Sequence, residues 1–266
     1  LLYVNNNRVT GLPVAQVVNA NLTDVAFDGF EEYTYGPNAQ TGYPSHFDFI
    51  NQVNGSTVLI SNTVRHSGKS SIQLQAGAEA VVDKSLRPMC ASDAVIDTDV
   101  PQNLVLSQDN RCLCTPPFNP LPGQYLCNAW VKANGNANVK VEVTNGFTMV
   151  TTPYTCVPVG PVIEGWQRVE VEFEIPSNGA SNFKVKLLNP SGQVAYFDDL
   201  RIHPFLAGMS TTVYDPVTFL PLATHDGYNY TTFYNYDENL QLVRVKVETI
   251  EGIKTVSETE SGLSTK

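Results

Sequence analysis

The residues best suited to chemistry are the adjacent carboxylates of Tyr196-Phe197-Asp198-Asp199-Leu200-Arg201-Ile202, which interrupt an otherwise apolar strand pattern. A carboxylate at the edge of a core needs a compensating charge, so such a pair suits a cation. Leu200 and Ile202 share strand parity with Asp198; if they face a core, Asp198 points inward and Asp199 outward. Two other stretches, Phe27-Asp28-Gly29-Phe30-Glu31-Glu32-Tyr33 and His66-Ser67-Gly68-Lys69-Ser70-Ser71, are the natural companions of this strand. Catalytic arrangements are weaker. Glu170, Glu172 and Glu174 alternate along one strand face and read as a solvated stripe, and Asp97 and Asp99 fall in a loop-like stretch. A glycosidase needs two carboxylates about 5 to 10 Å apart across a cleft, and nothing in the sequence marks such a pair. His46, His66, His203 and His225 are scattered without HExxH spacing, and GxSxG, P-loop and GxGxxG motifs do not occur. The expectation is a chain that is not an enzyme.

Five cysteines sharpen the picture only in part. Cys90 precedes, and Cys112-Leu113-Cys114 lies within, a proline-rich segment, so a bridge from Cys90 to Cys112 or Cys114 would staple a long insertion. Zinc on that cluster is the alternative, but neither a CxxC pair nor a neighbouring histidine supplies the usual spacing. Cys127 stands in a strand pattern and reads as a free core thiol.

With a formal charge of −10 over 266 residues, the chain lacks the clustered Lys/Arg surface that phosphate contacts require. Nucleic acid and anionic lipid are disfavoured partners, whereas cations and neutral polymers remain. Hydrophobic residues at 42% supply a core, while charged residues at 16% leave the surface to Asn, Thr, Ser, Gln and Gly, a profile of secreted β-proteins. No apolar run approaches the length of a membrane span, so membrane insertion is not expected. The opening Leu-Leu-Tyr reads as the start of an excised or mature part of a longer polypeptide, whose other domains would be partners.

The elements that must position these residues are strands. Residues 1–24 read as an incoming linker with a short edge strand near Ala15-Gln16-Val17-Val18. A mixed region up to Pro122 carries Pro88, Pro101, Pro116, Pro117, Pro120 and Pro122, which confines most of it to loops and edges. Period-two runs then follow closely: Tyr125 to Val131, Val139 to Val143, Val169 to Ile175, Phe183 to Leu187 and Tyr196 to Ile202. Asn134-Gly135, Asn145-Gly146, Asn178-Gly179 and Ser191-Gly192 separate them with residues tolerant of positive φ. The expectation is an all-β, antiparallel sandwich over residues 25–205.

Phe30-Glu31, His66-Ser67-Gly68-Lys69-Ser70-Ser71, Ala129-Trp130-Val131-Lys132, Gly165-Trp166-Gln167-Arg168-Val169 and Tyr196-Phe197-Asp198-Asp199-Leu200 occur in an order that resembles the carbohydrate-binding-module type of jelly roll, the galactose-binding-like fold. The resemblance implies a two-sheet jelly roll with one structural Ca2+ where the first and last strands meet. Carried over by position, its ligands are Glu31, the turn from Ser67 to Lys69, and Asp198 or Asp199, an all-oxygen set of the kind calcium takes. It also implies that Trp130 and Trp166 are structural. A sugar platform would then draw on aromatics in or beside loops, foremost Tyr35, Tyr43, Phe47, Phe147 and Tyr154, since an aromatic face gives apolar contact to a pyranose.

Beyond Phe205 the character changes. Val213-Tyr214-Asp215-Pro216-Val217-Thr218-Phe219-Leu220 is echoed 22 residues on by Asn235-Tyr236-Asp237-Glu238-Asn239-Leu240-Gln241-Leu242. This resembles the tyrosine-aspartate (YD) repeat of bacterial Rhs-type surface proteins, with Thr218 and Leu240 where glycine is usual. Residues 206–266 are therefore expected to form a small β-hairpin repeat appendage with a polar tail. Two roles follow: a non-catalytic module binding polysaccharide or another glycan on a secreted or cell-surface bacterial protein, or a structural spacer of an Rhs-type protein without a soluble ligand.

Overall fold

The protein is described by a computed structural model over residues 3–6, 12–31, 47, 49, 53, 55–86, 118–215 and 217–259. Strands are numbered in chain order. The outer sheet runs β6 (Glu79–Ser85), β12 (Ala180–Leu188), β8 (Asn138–Asn145), β9 (Thr151–Thr155). The central sheet runs β10 (Val157–Ile163), β11 (Trp166–Ile175), β7 (Gly123–Ala133), β13 (Ala195–Pro204), β5 (Ser71–Leu74), β4 (Val58–Ser61), with β3 (Ala26–Asp28) also paired to β13. The third sheet runs β1 (Tyr3–Asn6), β2 (Pro13–Val18), β14 (Gly208–Tyr214), β15 (Pro221–His225), β16 (Thr231–Tyr236), β17 (Leu242–Thr249), β18 (Gly252–Glu258). Every pairing is antiparallel, as the short Gly/Asn turns require. Among the described residues the helical features are single 3₁₀ turns, and no helix is long and apolar enough to cross a membrane.

The outer and central sheets form the expected sandwich. Val139, Val141 and Val143 of β8 and Phe183, Val185 and Leu187 of β12 face Tyr125, Cys127, Ala129 and Val131 of β7 in one continuous core. Full burial of each large aliphatic or aromatic side chain is worth about 1.5–3 kcal/mol, so this layer carries most of the stability. Cys127 and Cys156 are both buried free thiols within it. Cys90, Cys112 and Cys114 lie outside the described residues.

A second layer of contact was not legible from the sandwich pattern. The opposite face of the central sheet is also buried: Asn128 and Trp130 of β7, Arg168 of β11, and Asp199, Arg201 and His203 of β13. The third sheet covers it. Val14, Ala15, Val17 and Met209 from that sheet pack on Val25 and Phe27, while Tyr230 and Ile253 pack against Trp130, Ile163 and Trp166. The segment read as an incoming linker supplies β1 and β2 to this sheet, and β2 pairs directly with β14, Val18 opposite Gly208. The whole sandwich is thus inserted between two neighbouring strands of the third sheet.

Strand β13 is where the layers meet. Residues 195–197 pair with β5 and residues 200–202 with β3, and between them a bulge shifts the register against β7 between Asp198 and Arg201. Asp199 takes a left-handed φ of 49° there. An extra residue in one strand re-aims the side chains beside it. The simple parity argument therefore fails at this point: both aspartates are fully buried, and Asp199, expected to face solvent, lies beneath the third sheet.

The segment beyond Phe205 has a finer period than the 22-residue echo. Asp215, Asp226 and Asp237, each 11 apart, open the successive hairpin turns, and each Oδ1 accepts two backbone N–H groups. Phe219, Asn229 and Leu240 take the left-handed conformation in these turns, with φ of 61°, 66° and 62°. Of the two positions where the resemblance places glycine, Leu240 takes the left-handed conformation, whereas in the first turn Phe219 takes it and not Thr218.

Candidate functional site

The gap between β5 and β3 along β13 is filled by the turn from His66 to Ser70. Asp198 Oδ2 accepts the N–H groups of His66 and Ser67 at 2.8 and 3.3 Å, and its Oδ1 accepts the N–H of Asp199 at 2.9 Å. Glu31 accepts the N–H of Lys69 at 2.8 and 3.0 Å and that of Ser70 at 2.9 Å. Gly68, at a φ of 56°, permits this approach: a Cβ there would lie 2.2 Å from Glu31 Oε1. Asp199 turns the other way, its Oδ1 accepting the Ser67 hydroxyl at 2.9 Å and its Oδ2 lying 2.7 Å from His66 Nδ1. The far side of the His66 ring, Nε2, sits 2.9 Å from Glu248 Oε1. His225 Nε2 lies 3.2 Å from the same Asp199 Oδ2. The His66 ring stacks on Trp130 with centroids 4.2 Å apart and meets Trp166 edge-on at 5.5 Å.

Burial and the neighbouring charges set the protonation of these groups. Burial pushes the Glu31 carboxyl up to about 8 against the opposing pull of the Ser70 and Lys69 amides. It also raises Asp198 well above the carboxylate range, helped by the charge on Asp199. Burial opposes ionisation of Asp199 too, but His225 and His66 overcome it and hold that carboxylate far below its usual range. For His66 burial alone would disfavour the cation, yet Asp199 and Glu248 push it up to about 9. The negative charge of the aspartate pair therefore resides on Asp199.

A second set of contacts fixes the β15–β16 turn against the central sheet. Four consecutive carbonyls of that turn each accept a side-chain donor from the sandwich. Arg201 reaches Asp226 O at 2.9 Å and Gly227 O at 3.0 Å, Arg168 reaches Tyr228 O at 2.5 Å, and Trp130 Nε1 reaches Asn229 O at 2.7 Å. Arg201, wholly buried, also donates to Asn128 Oδ1 and Met209 O. The Asn229 amide completes the clamp by donating to Asn128 Oδ1 and Asp199 O. Lys69 and Asp215 add an ion pair of 2.5 Å from the edge of the junction.

These contacts bear on the calcium ligands the resemblance implied. Glu31, Ser67, Lys69, Asp198 and Asp199 are indeed gathered at one junction. The turn, however, offers its N–H groups to Glu31 and Asp198, so their oxygens are already engaged by donors. Calcium takes six to eight converging oxygens. Among the described residues the group of His, Cys, Asp and Glu ligand atoms that does converge is His66, Asp199 and His225, a nitrogen-rich set. His225 and Glu248 were missed because they lie far along the chain from His66 and carry no spacing signature; the one available signal was His66 itself, inside the motif.

The aromatics divide in three. Trp130 and Trp166 are structural, as expected, but under the third sheet instead of inside the sandwich. Phe47 is a core residue, 1% exposed and packed on Phe49 and Phe118, which corrects its place in the sugar platform. Tyr154 is half-buried, its ring 6.0 Å from that of Phe173, and Tyr35 and Tyr43 lie outside the described residues. Phe147 alone of the described members stands free, 83% exposed. It crowns the β8–β9 hairpin, where Asn145 Oδ1 accepts the N–H groups of Phe147 and Thr148 at 2.9 Å. The Asn145 and Asn178 amides bond each other reciprocally at 3.1 Å, tying this tip to the β11–β12 turn. Met149 and Val150 beside it are also exposed, and Val150 borders a groove of about 300 Å³ lined by Asn145, Thr148, Thr152, Tyr154 and Glu174.

No family model and no curated protein matches the chain. Solved structures do. The CBM22-1-GH10 modules of the Clostridium thermocellum endo-1,4-beta-D-xylanase 10B align at 12% identity and a TM-score of 0.36, over 70% of this chain and 27% of that one. A Family 16 carbohydrate-binding module aligns at 15% identity and a TM-score of 0.32, over 56% of this chain and 86% of that one. The CBM22-1 xylan-binding domain from Paenibacillus barcinonensis Xyn10C aligns at 16% identity and a TM-score of 0.32, over 56% of this chain and 82% of that one.

Proposed function

We propose that this chain is a non-catalytic glycan-binding module of a larger bacterial extracellular or cell-surface protein, mounted on a YD-repeat-like sheet. One observation carries the reading: the β8–β9 hairpin holds Phe147 out in solvent on a tip braced by the Asn145–Asn178 amide pair, above a groove with hydroxyl, amide and carboxylate groups. An exposed aromatic next to such polar groups matches the two demands of a sugar ring, an apolar face and a polar rim. The charge of −10 fits a neutral polysaccharide better than an acidic one. Affinity gel electrophoresis against a panel of soluble neutral polysaccharides tests this. Retardation by at least one polymer, weakened about tenfold or more by Phe147→Ala with an unchanged melting temperature, is the expected result. Absence of retardation by every polymer sinks the reading.

The alternative role, a structural spacer of an Rhs-type protein, is favoured by the clamp on the β15–β16 turn, which makes sandwich and third sheet one continuous body. Under that reading Phe147→Ala changes nothing measurable.

A further inference from the structure

Outside the proposed glycan surface, three buried side chains from three different strands or turns aim ligand atoms at one another: His66 Nδ1, Asp199 Oδ2 and His225 Nε2, all within 4.8 Å. We propose that they form a zinc site that pins the third sheet to the sandwich.

The argument rests on how each atom is held. His225 Nδ1 lies 2.8 Å from Thr211 Oγ1, and His66 Nε2 lies 2.9 Å from Glu248 Oε1. With those outer nitrogens bonded to oxygen, an ion would displace the protons that the inner nitrogens direct at Asp199, and both would then offer lone pairs to it. Such an outer-atom hydrogen bond on each histidine is how metal-bound imidazoles are oriented. Asp199 is braced likewise, with Ser67 on its other oxygen. His225 Nε2 has no hydrogen-bond partner although it is fully buried. It lies 3.2 Å from Asp199 Oδ2 but misses the alignment of a hydrogen bond. It is one of seven buried side-chain polar atoms without a hydrogen-bond partner among the described residues, and the one that belongs to this group of ligand atoms. A divalent ion off the nitrogen–oxygen line would satisfy all three atoms together. The edge of a tetrahedron with bonds of about 2.0–2.2 Å is about 3.3–3.6 Å; the His225 separation of 3.2 Å is close to it, whereas the 2.7 Å from His66 is a hydrogen-bond distance that would have to widen on binding. Two imidazoles and one carboxylate select zinc over calcium or magnesium.

The site joins layers that the chain separates widely: His66 precedes β5, Asp199 sits at the β13 bulge, and His225 ends β15 of the third sheet. Binding is thus linked to docking of that sheet, and the ion would stabilise the docked state by mass action.

The test uses the intact chain, stripped with chelator, reloaded with Zn2+ and dialysed. One zinc per chain by elemental analysis is expected, with a melting temperature raised by about 5–10 °C at a hundredfold excess over Kd. Co2+ in place of zinc should give tetrahedral visible bands without thiolate-to-cobalt charge transfer, a readout on the unaltered protein that needs no variant to fold. His225→Gln should lose the metal, whereas a Cys112→Ser/Cys114→Ser variant should retain it. Three results overturn the site: no retained zinc and no thermal shift, a thiolate band in the cobalt spectrum, or zinc kept by a folded His225→Gln variant.

Discussion

Replacing Arg201 by methionine should loosen the third sheet from the sandwich before either unfolds. The guanidinium makes hydrogen bonds to Asn128 Oδ1, Met209 O, Asp226 O and Gly227 O, and all of its partners are neutral. Hydrogen bonds to a charged group are worth about 1.5–3 kcal/mol each, a gross loss of roughly 6–12 kcal/mol. Against this stands the cost of burying the charge. Burial brings Arg201 down to about 9, equivalent to roughly 5 kcal/mol, which methionine does not incur. The balance is a destabilisation of roughly 1–7 kcal/mol, about 4 kcal/mol at its centre, a large part of an ordinary domain's stability. In urea that is a midpoint shift of about 1 M, read by far-UV circular dichroism. Because the lost bonds lie at one interface, R201M should also split the transition, with fluorescence of the buried Trp130 and Trp166 changing before the circular dichroism. Arg201→Lys keeps a charge but not the fork and should fall between the two. A single transition within about 0.5 kcal/mol of the unaltered protein would refute the clamp.

Four further outcomes follow from the same geometry. Gly68→Ala forces a side chain into the left-handed region and onto Glu31 Oε1 at 2.2 Å and Val213 Cγ1 at 2.6 Å; a loss of about 3 kcal/mol or failure to fold is expected, and a neutral result in thermal melts would contradict the turn's conformation. Glu31 is held neutral by burial, with its carboxyl raised from 4.5 to about 8, so its contribution is fully present below about pH 4.5 and lost as the pH rises through 8; thermal melts in chelator should show stability declining over that window, less steeply in Glu31→Gln, and a flat or rising profile would exclude it. Trp130→Phe removes the donor to Asn229 O and should cost about 1–2 kcal/mol while leaving polysaccharide retardation unchanged. Phe147→Ala should do the reverse, weakening retardation with no change in melting temperature.

The sandwich was readable because its two inner faces impose period two on every long strand from β7 onward, and the Asn-Gly turns leave little choice of connection. Trp130 was legible as structural, but its neighbours Asn128 and Arg201 look like the solvent face of the same strands. Nothing local distinguishes a residue facing water from one facing a second sheet whose own inner face is polar. Asp199 shows the limit most clearly: a bulge of one residue, invisible to pattern, reverses the direction in which its side chain points. His225 and Glu248 belong to the junction through contacts across most of the chain, and only folding brings them to His66. The 22-residue echo was visible; the 11-residue spacing of Asp215, Asp226 and Asp237 was hidden because the middle turn lacks the Tyr-Asp pair.

The insertion of the sandwich between β2 and β14 has a mechanical meaning. Tension between β1 and β18 crosses the third sheet from edge to edge, and where the chain departs into residues 19–207 the load is taken by the β2–β14 ladder, from Val18 opposite Gly208 to Ala15 opposite Thr211. The sandwich lies outside that ladder in the chain but is clamped to the same sheet through the β15–β16 turn. Once the ladder parts, the load passes to the side-chain clamp on that turn, and the sandwich's length of chain is released only after Arg201, Arg168 and Trp130 let go of their carbonyls.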